Sequence, residues 1–204
     1  KPYGYYFDFG ADHSTVDHLD STHFAILQWK LFSDASIEWD IQNALFDMHQ
    51  LANHNCILAG PIHCTKATAR VLNNIEPKLS LDDLSFKYFG EKKIDVKTFL
   101  KENNGVSLVK SPYDHGEGQE TLHFNRLPLP MLIEYGIRDT KLTYQLAQFQ
   151  RKKIAELDDK YFTDDETTIE TVGGSERRCL KFIMENEKRL TKVLFDMERT
   201  GAKI

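Results

Sequence analysis

The chain has 204 residues, of which 41% are hydrophobic and 28% charged, and its formal net charge is −5. That is enough apolar material for the core of one large domain, or one domain with an extension. The negative balance excludes a general polyanion-binding surface, so any nucleic-acid contact must be local, and no apolar run approaches the ~18 residues of a membrane span.

Three cysteines, Cys56, Cys64 and Cys179, are too few and of the wrong parity for a disulfide framework, and they point to a reducing compartment. The first residues, KPYGYYFDFG, carry no charged-then-apolar leader and no Met. The pattern begins and ends inside elements, so the sequence reads as a piece of a longer chain.

In chain order, Tyr3 to Phe9 predicts a strand and Gly10 to Ser14 a turn. Apolar spacing from about Val16 to Phe32 predicts a helix, and the alternation Ile37 to Ile41 a short strand. Asn43 opens a helix carrying Phe46, Asp47, Met48 and Leu51. Cys56 to Ile62 reads as a buried segment ending in a turn at Gly60-Pro61, and Thr65 to Leu72 as a helix. Ser80 caps a further helix that Gly90 stops. Glu102 to Asn125 reads as an irregular loop or insertion. Pro128 and Pro130 lead into a long helix reaching about Leu157. Residues 163–175, acidic and punctuated by glycine, read as a linker. The last helix, Glu176 to Arg199, has an apolar stripe of Leu180, Ile183, Leu190, Leu194 and Met197, with Gly201 as its stop. Short strands followed by a run of helices predict an α/β or α+β layer fold.

Two pairs of residues with helical spacing carry the candidate chemistry. Tyr135 and Asp139 are four apart, one turn above the other on one face. A carboxylate so placed can hold a metal ion while the phenol orients a water. Asn43 and Asp47 repeat the spacing where a strand gives way to a helix, a position at which backbone donors and side chains converge. Two carboxylates from separate elements can hold a hard divalent cation such as Mg2+. The plainer reading makes Asn43 an N-cap, Asp47 a favourable first-turn charge, and Asp139 a surface residue on an amphipathic helix.

The pattern Gln42-Asn43-x-x-Phe46-Asp47 resembles the second motif of the 3′–5′ proofreading exonucleases of family A DNA polymerases. Tyr135-x-x-x-Asp139 resembles the third motif of their tyrosine-bearing subgroup. The resemblance continues through Leu58 to Thr65, Ala69 to Leu72 and Leu79 to Gly90. Val193 to Ile204 is similar to the helix where the polymerase part begins. The order and spacing of these short matches make the resemblance specific. It implies a ribonuclease-H-like mixed sheet flanked by helices, with the exonuclease domain over 1–162, a linker over 163–175 and the start of a polymerase-domain helix over 176–204. It also implies two Mg2+ or Mn2+ ions roughly 4 Å apart at the scissile phosphodiester. Asp47 and Asp139 would be metal ligands and catalytic residues, and Tyr135 would be catalytic by orienting the attacking water. Gln42, Asn43 and Phe46 would hold a single-stranded or frayed 3′ end of DNA. The implied partner is the polymerase domain of the same chain, in the nucleoid or, for a phage protein, the host-cell cytoplasm.

The sequence departs from the family in two places. The first motif, a D-x-E pair on the first strand, is not found, which leaves Asp47 and Asp139 as the matching carboxylates. Cys64 stands where the family commonly has Asp before this Thr. The first departure supports an alternative, a catalytically inactive exonuclease-like scaffold that docks the polymerase domain and positions DNA. A zinc site from His54, Cys56, His63 and Cys64 has neither ribbon nor finger spacing.

Overall fold

A computed structural model of the chain describes residues 21–109, 119–161, 170–172, 175–177 and 179–201. The strand expected over Tyr3 to Phe9, its following turn and the start of the first helix lie outside them. Helix α1, Ser21–Leu27, runs into a wider π turn over Gln28–Phe32. The alternating stretch gives strand β1, Trp39–Ile41, and helix α2 follows over Ala44–Asn53. Beyond Pro61 the chain forms β2, Ile62–Cys64, which pairs with β1 in parallel and sets Asp40 opposite His63 and Ile41 opposite Cys64. The segment leading to it alternates, with Cys56, Leu58 and Gly60 buried and Ile57 and Ala59 exposed. Gly60 is required by contact, since a Cβ there would lie 1.8 Å from the carbonyl oxygen of Ile37.

Helix α3 is Thr65–Leu72, and α4 is Leu81–Phe89. Ser80 caps α4 as its spacing predicts: its hydroxyl accepts the Asp83 N–H at 3.1 Å and donates to the Asp83 carboxylate at 2.6 Å. Gly90 ends the helix in the left-handed region at φ 68°. The short helix α5, Val96–Glu102, is capped by Asp95, whose carboxylate accepts from the Lys97 and Thr98 N–H groups.

The irregular loop expected over Glu102 to Asn125 contains a hairpin. Strand β3, Val106–Val109, pairs antiparallel with β4, Gln119–Leu122, and a 3-10 turn follows over Phe124–Arg126. Only pairing partners and a shared apolar floor make strands of these weakly patterned residues. That floor is α5 and the start of α6: Val96, Leu100 and Leu127 are buried there with Val106, Leu122 and Leu132 around them.

Helix α6 spans Leu129–Tyr161, 33 residues, with Pro130 in its first turn where a missing N–H costs nothing. Its buried residues Leu142 and Leu146 pack with Ala69 of α3 and Leu81 and Leu84 of α4. The expected linker includes strand β5, Glu170–Val172, paired with β6, Ser175–Arg177, so its described part is a hairpin. Glu176 and Arg177 therefore belong to a strand, and the last helix, α7, begins later, at Leu180, and runs to Thr200. Its buried stripe is Met184, Thr191 and Phe195, one position away from the apolar stripe expected, and Leu190 and Met197 are exposed. Phe195 completes the core formed by Ala44, Met48, Leu58 and Ile62. The fold is thus mixed α/β, rich in helix, with small sheets. Among the described residues no helix is long and apolar enough to cross a membrane.

Candidate active site

The turn from β1 into α2 builds one wall of a cleft of about 860 Å³. Asn43 makes that turn in the left-handed conformation, φ 60° and ψ 51°, which Asn adopts more readily than other residues with a side chain beyond Gly. The reversal puts Phe46 and Asp47, in the first turn of α2, on the cleft wall. Asn43 occupies the N-cap position without capping: its side-chain oxygen accepts from Lys66 Nζ at 2.9 Å. The Ala44 N–H instead reaches Cys64 Sγ at 3.5 Å, so Cys64 serves the start of α2 as an acceptor.

Gln42 also lines the cleft, but protein partners engage its amide. Its Oε1 accepts from the Thr65 hydroxyl, and its Nε2 donates to the Leu79 carbonyl at 2.8 Å. Gln42 therefore ties the end of β1 to α3 and to the approach of α4. Phe46 is 61% exposed, an apolar ring presented to solvent beside the cleft carboxylates. Asp47 reaches solvent too, yet the walls that crowd it raise its carboxyl above the usual value by desolvation.

Helix α6 supplies the facing wall with Asp139, Thr140, Thr143 and Tyr144. Asp47 and Asp139, 92 positions apart by number, thus line the same cleft. Tyr135 lies one turn before Asp139 and lines a smaller adjoining cavity of about 390 Å³, its ring 5.5 Å from that of Phe124. Its hydroxyl interacts with both Asp139 and Lys93, and burial raises it above the usual phenol value. Burial also raises the Asp139 carboxyl, outweighing the opposing pull of Lys93 and of the Tyr135 hydroxyl.

Lys93, Lys66 and Tyr144 are cleft residues that sequence reasoning missed. Lys93 lines both cavities, and its Nζ lies 2.6 Å from Asp139 Oδ2 and 4.8 Å from the Tyr135 ring centre. It comes from an irregular stretch between α4 and α5, where no periodicity marks a side chain as inward. Lys66 directly follows Thr65 in the matched segment, which is the only sequence signal for it. Asp40 is a third carboxylate on the cleft, but Arg151 takes both its oxygens, at 3.0 and 2.5 Å.

The donor set is consistent with a divalent cation at Asp139 on one particular ground: Oδ1 is buried with no protein hydrogen-bond partner. Asp47 supplies a second carboxylate on the same cleft. No group of three His, Cys, Asp or Glu side chains is gathered for a metal among the described residues. That includes the zinc alternative: His63 is fully buried, and its Nε2 meets Gln150 Oε1 at 3.2 Å.

A family model described as 3′–5′ exonuclease matches residues 7–155. No curated protein matches the chain. The matched span contains both walls of the cleft, from the β1–α2 turn to Asp139 and beyond, and with nearly three quarters of its length inside that match the chain belongs to the 3′–5′ exonuclease family of the kind found in family A DNA polymerases.

Proposed function

We propose that this chain is the 3′–5′ proofreading exonuclease part of a family A DNA polymerase, acting on the terminal phosphodiester of a frayed DNA strand. The observation that carries the proposal is the shared cleft: Asn43, Phe46 and Asp47 on one wall and Asp139 on the other, within a chain of exonuclease family. In this reading, Asp47 and Asp139 hold Mg2+ or Mn2+. Such cations supply Lewis acidity that makes water a nucleophile and relieves charge on the leaving 3′ oxygen. Tyr135, whose half-buried hydroxyl stands beside Asp139, orients the attacking water. The exposed Phe46 ring stacks on a terminal base, and Asn43, held by Lys66, fixes the sugar-phosphate end. Gln42 shapes this wall through Thr65 and Leu79. The ribonuclease-H-like arrangement is supported by the parallel β1–β2 pair with helices packed beside it, and α7 would be the first helix leading to the polymerase part.

The second reading is the inactive scaffold, favoured by one observation: Arg151 neutralises Asp40 and Lys93 neutralises Asp139, so two of the three cleft carboxylates already have cations. Release of nucleoside monophosphates from a 3′-labelled single strand in Mn2+ separates the two. The exonuclease reading expects release that falls at least about 100-fold in Asp139→Asn and in Asp47→Asn. Binding of the strand without any release would instead establish the scaffold.

A further inference from the structure

The stretch between α4 and α5 is fastened to the start of α6 and to α4 at several points. Glu91 pairs with Arg138 at 2.8 Å, and the Arg138 Nε donates to the Lys92 carbonyl at 3.2 Å. The Lys93 backbone N–H is received by Asp82 Oδ1 of α4 at 2.6 Å. These ties fix the base of the Lys93 side chain and point its ammonium into the cleft, against Asp139 Oδ2 at 2.6 Å and over the Tyr135 ring. The pair is only about a quarter exposed on either side, so water screens it weakly. One carboxylate oxygen of Asp139 is thus engaged by a lysine, while the other is buried and has no protein partner.

We propose that Lys93 is a resident counter-cation of the exonuclease site, which competes with divalent metal for Asp139 and sets the metal concentration at which the site loads. This rests on the reading of Asp139 as a metal ligand. An ammonium and a divalent cation cannot both sit against Oδ2, and a cation bound through Oδ1 would still face a like charge a few ångströms away. Metal held through Oδ2 requires Lys93 to swing off Asp139, and metal held through Oδ1 alone is weakened by its charge. The ties of the Lys93 N–H to Asp82 and of the Lys92 carbonyl to Arg138 leave only the side chain free to move. In the unloaded site the same lysine neutralises a half-buried carboxylate that would otherwise stand uncompensated. Lys93 is therefore a positioning residue, acting on the reaction through Asp139.

The test is calorimetric titration of the full chain with MnCl2, in wild type, Lys93→Met, Lys93→Arg and Lys93→Met/Asp139→Asn, with far-UV circular dichroism confirming the fold. Lys93→Gln replaces Lys93→Met if the latter does not fold. The proposal expects Lys93→Met to bind Mn2+ about tenfold more tightly than wild type, from removal of one like charge. Lys93→Arg should keep the wild-type affinity, and the added Asp139→Asn should abolish the gain. Equal or weaker affinity in Lys93→Met, with binding that still depends on Asp139, would overturn the competition and leave Asp139 as a ligand. Affinity independent of Asp139, or no binding in any variant, would overturn both the competition and the metal role of Asp139.

Discussion

Asp139 is held between opposing demands: burial favours its neutral form, while Lys93 and the Tyr135 hydroxyl favour the carboxylate. A bound divalent cation would settle that balance toward the charged form, which is why a half-buried carboxylate with a free oxygen suits a metal better than it suits the bare protein. Tyr135 has a different part. It stands beside Asp139 in the adjoining cavity, and burial raises its phenol further above the ordinary value. If Tyr135 orients water as proposed, Tyr135→Phe slows strand hydrolysis by at least about tenfold and leaves Mn2+ affinity unchanged, because the phenol is not a metal ligand in that reading. Single-turnover rates alongside calorimetry check this, and a fall in metal affinity would reassign the phenol. The i, i+4 spacing placed Tyr135 and Asp139 on one helix, and the turn at Asn43 was legible as a strand end. Lys93 was not legible, because its direction is set by the bond of its own N–H to Asp82, 11 positions away, and by the bond of the Lys92 carbonyl to Arg138, 46 positions away.

Among the elements, α4 shows local chemistry at its clearest. Ser80 brackets it by its side chain and Gly90 by its backbone freedom, and neither needs a distant partner. Ser80→Ala should cost about 1 kcal/mol of stability, read by denaturant unfolding. Helix α6 depends on packing instead. Leu142, fully buried between α3 and α4, lies three residues after Asp139, so Leu142→Ala should cost about 2–5 kcal/mol and lower activity through the placement of Asp139. Unfolding curves and nuclease rates on the same sample would show the two losses together. Helix α7 shows where periodicity misleads. Its sequence offers two adjacent apolar stripes, and the one with Met184 and Phe195 is buried because the α2–β2 core has space for Phe195. The hairpin β3–β4 was illegible for the complementary reason, since a strand of weak pattern exists only once its partner is present.

Across the whole molecule, an ion network joins the stretch before β1 to the two longest helices. Glu38 meets Lys188 of α7 at 2.8 Å and Arg151 of α6 at 3.3 Å, and Arg151 also holds Asp40. Burial would raise the Glu38 carboxyl, but the two cations outweigh it and hold the group below its ordinary 4.5. A carboxylate lowered by folding stabilises the fold above its ordinary value and loses that contribution as pH falls through the lowered one. Glu38→Gln should therefore be less stable than wild type at neutral pH, and the two should converge in acid below that lowered value. Urea unfolding across this range measures the difference, and a constant gap at all pH values would exclude the charge as its cause.

By itself the sequence determined helix α4 with both its ends, the passage from strand to helix at Asn43, and the two motifs whose order marks the exonuclease family, because spacing, capping and turn preference act over a few residues. Only the tertiary structure decided that Asp47 and Asp139 share a cleft, that Gln42 and Asp40 are engaged by protein partners, and that Lys93 rests on Asp139. Those outcomes depend on which distant groups meet, and a charge is paired, desolvated or left open only when the chain has closed around it.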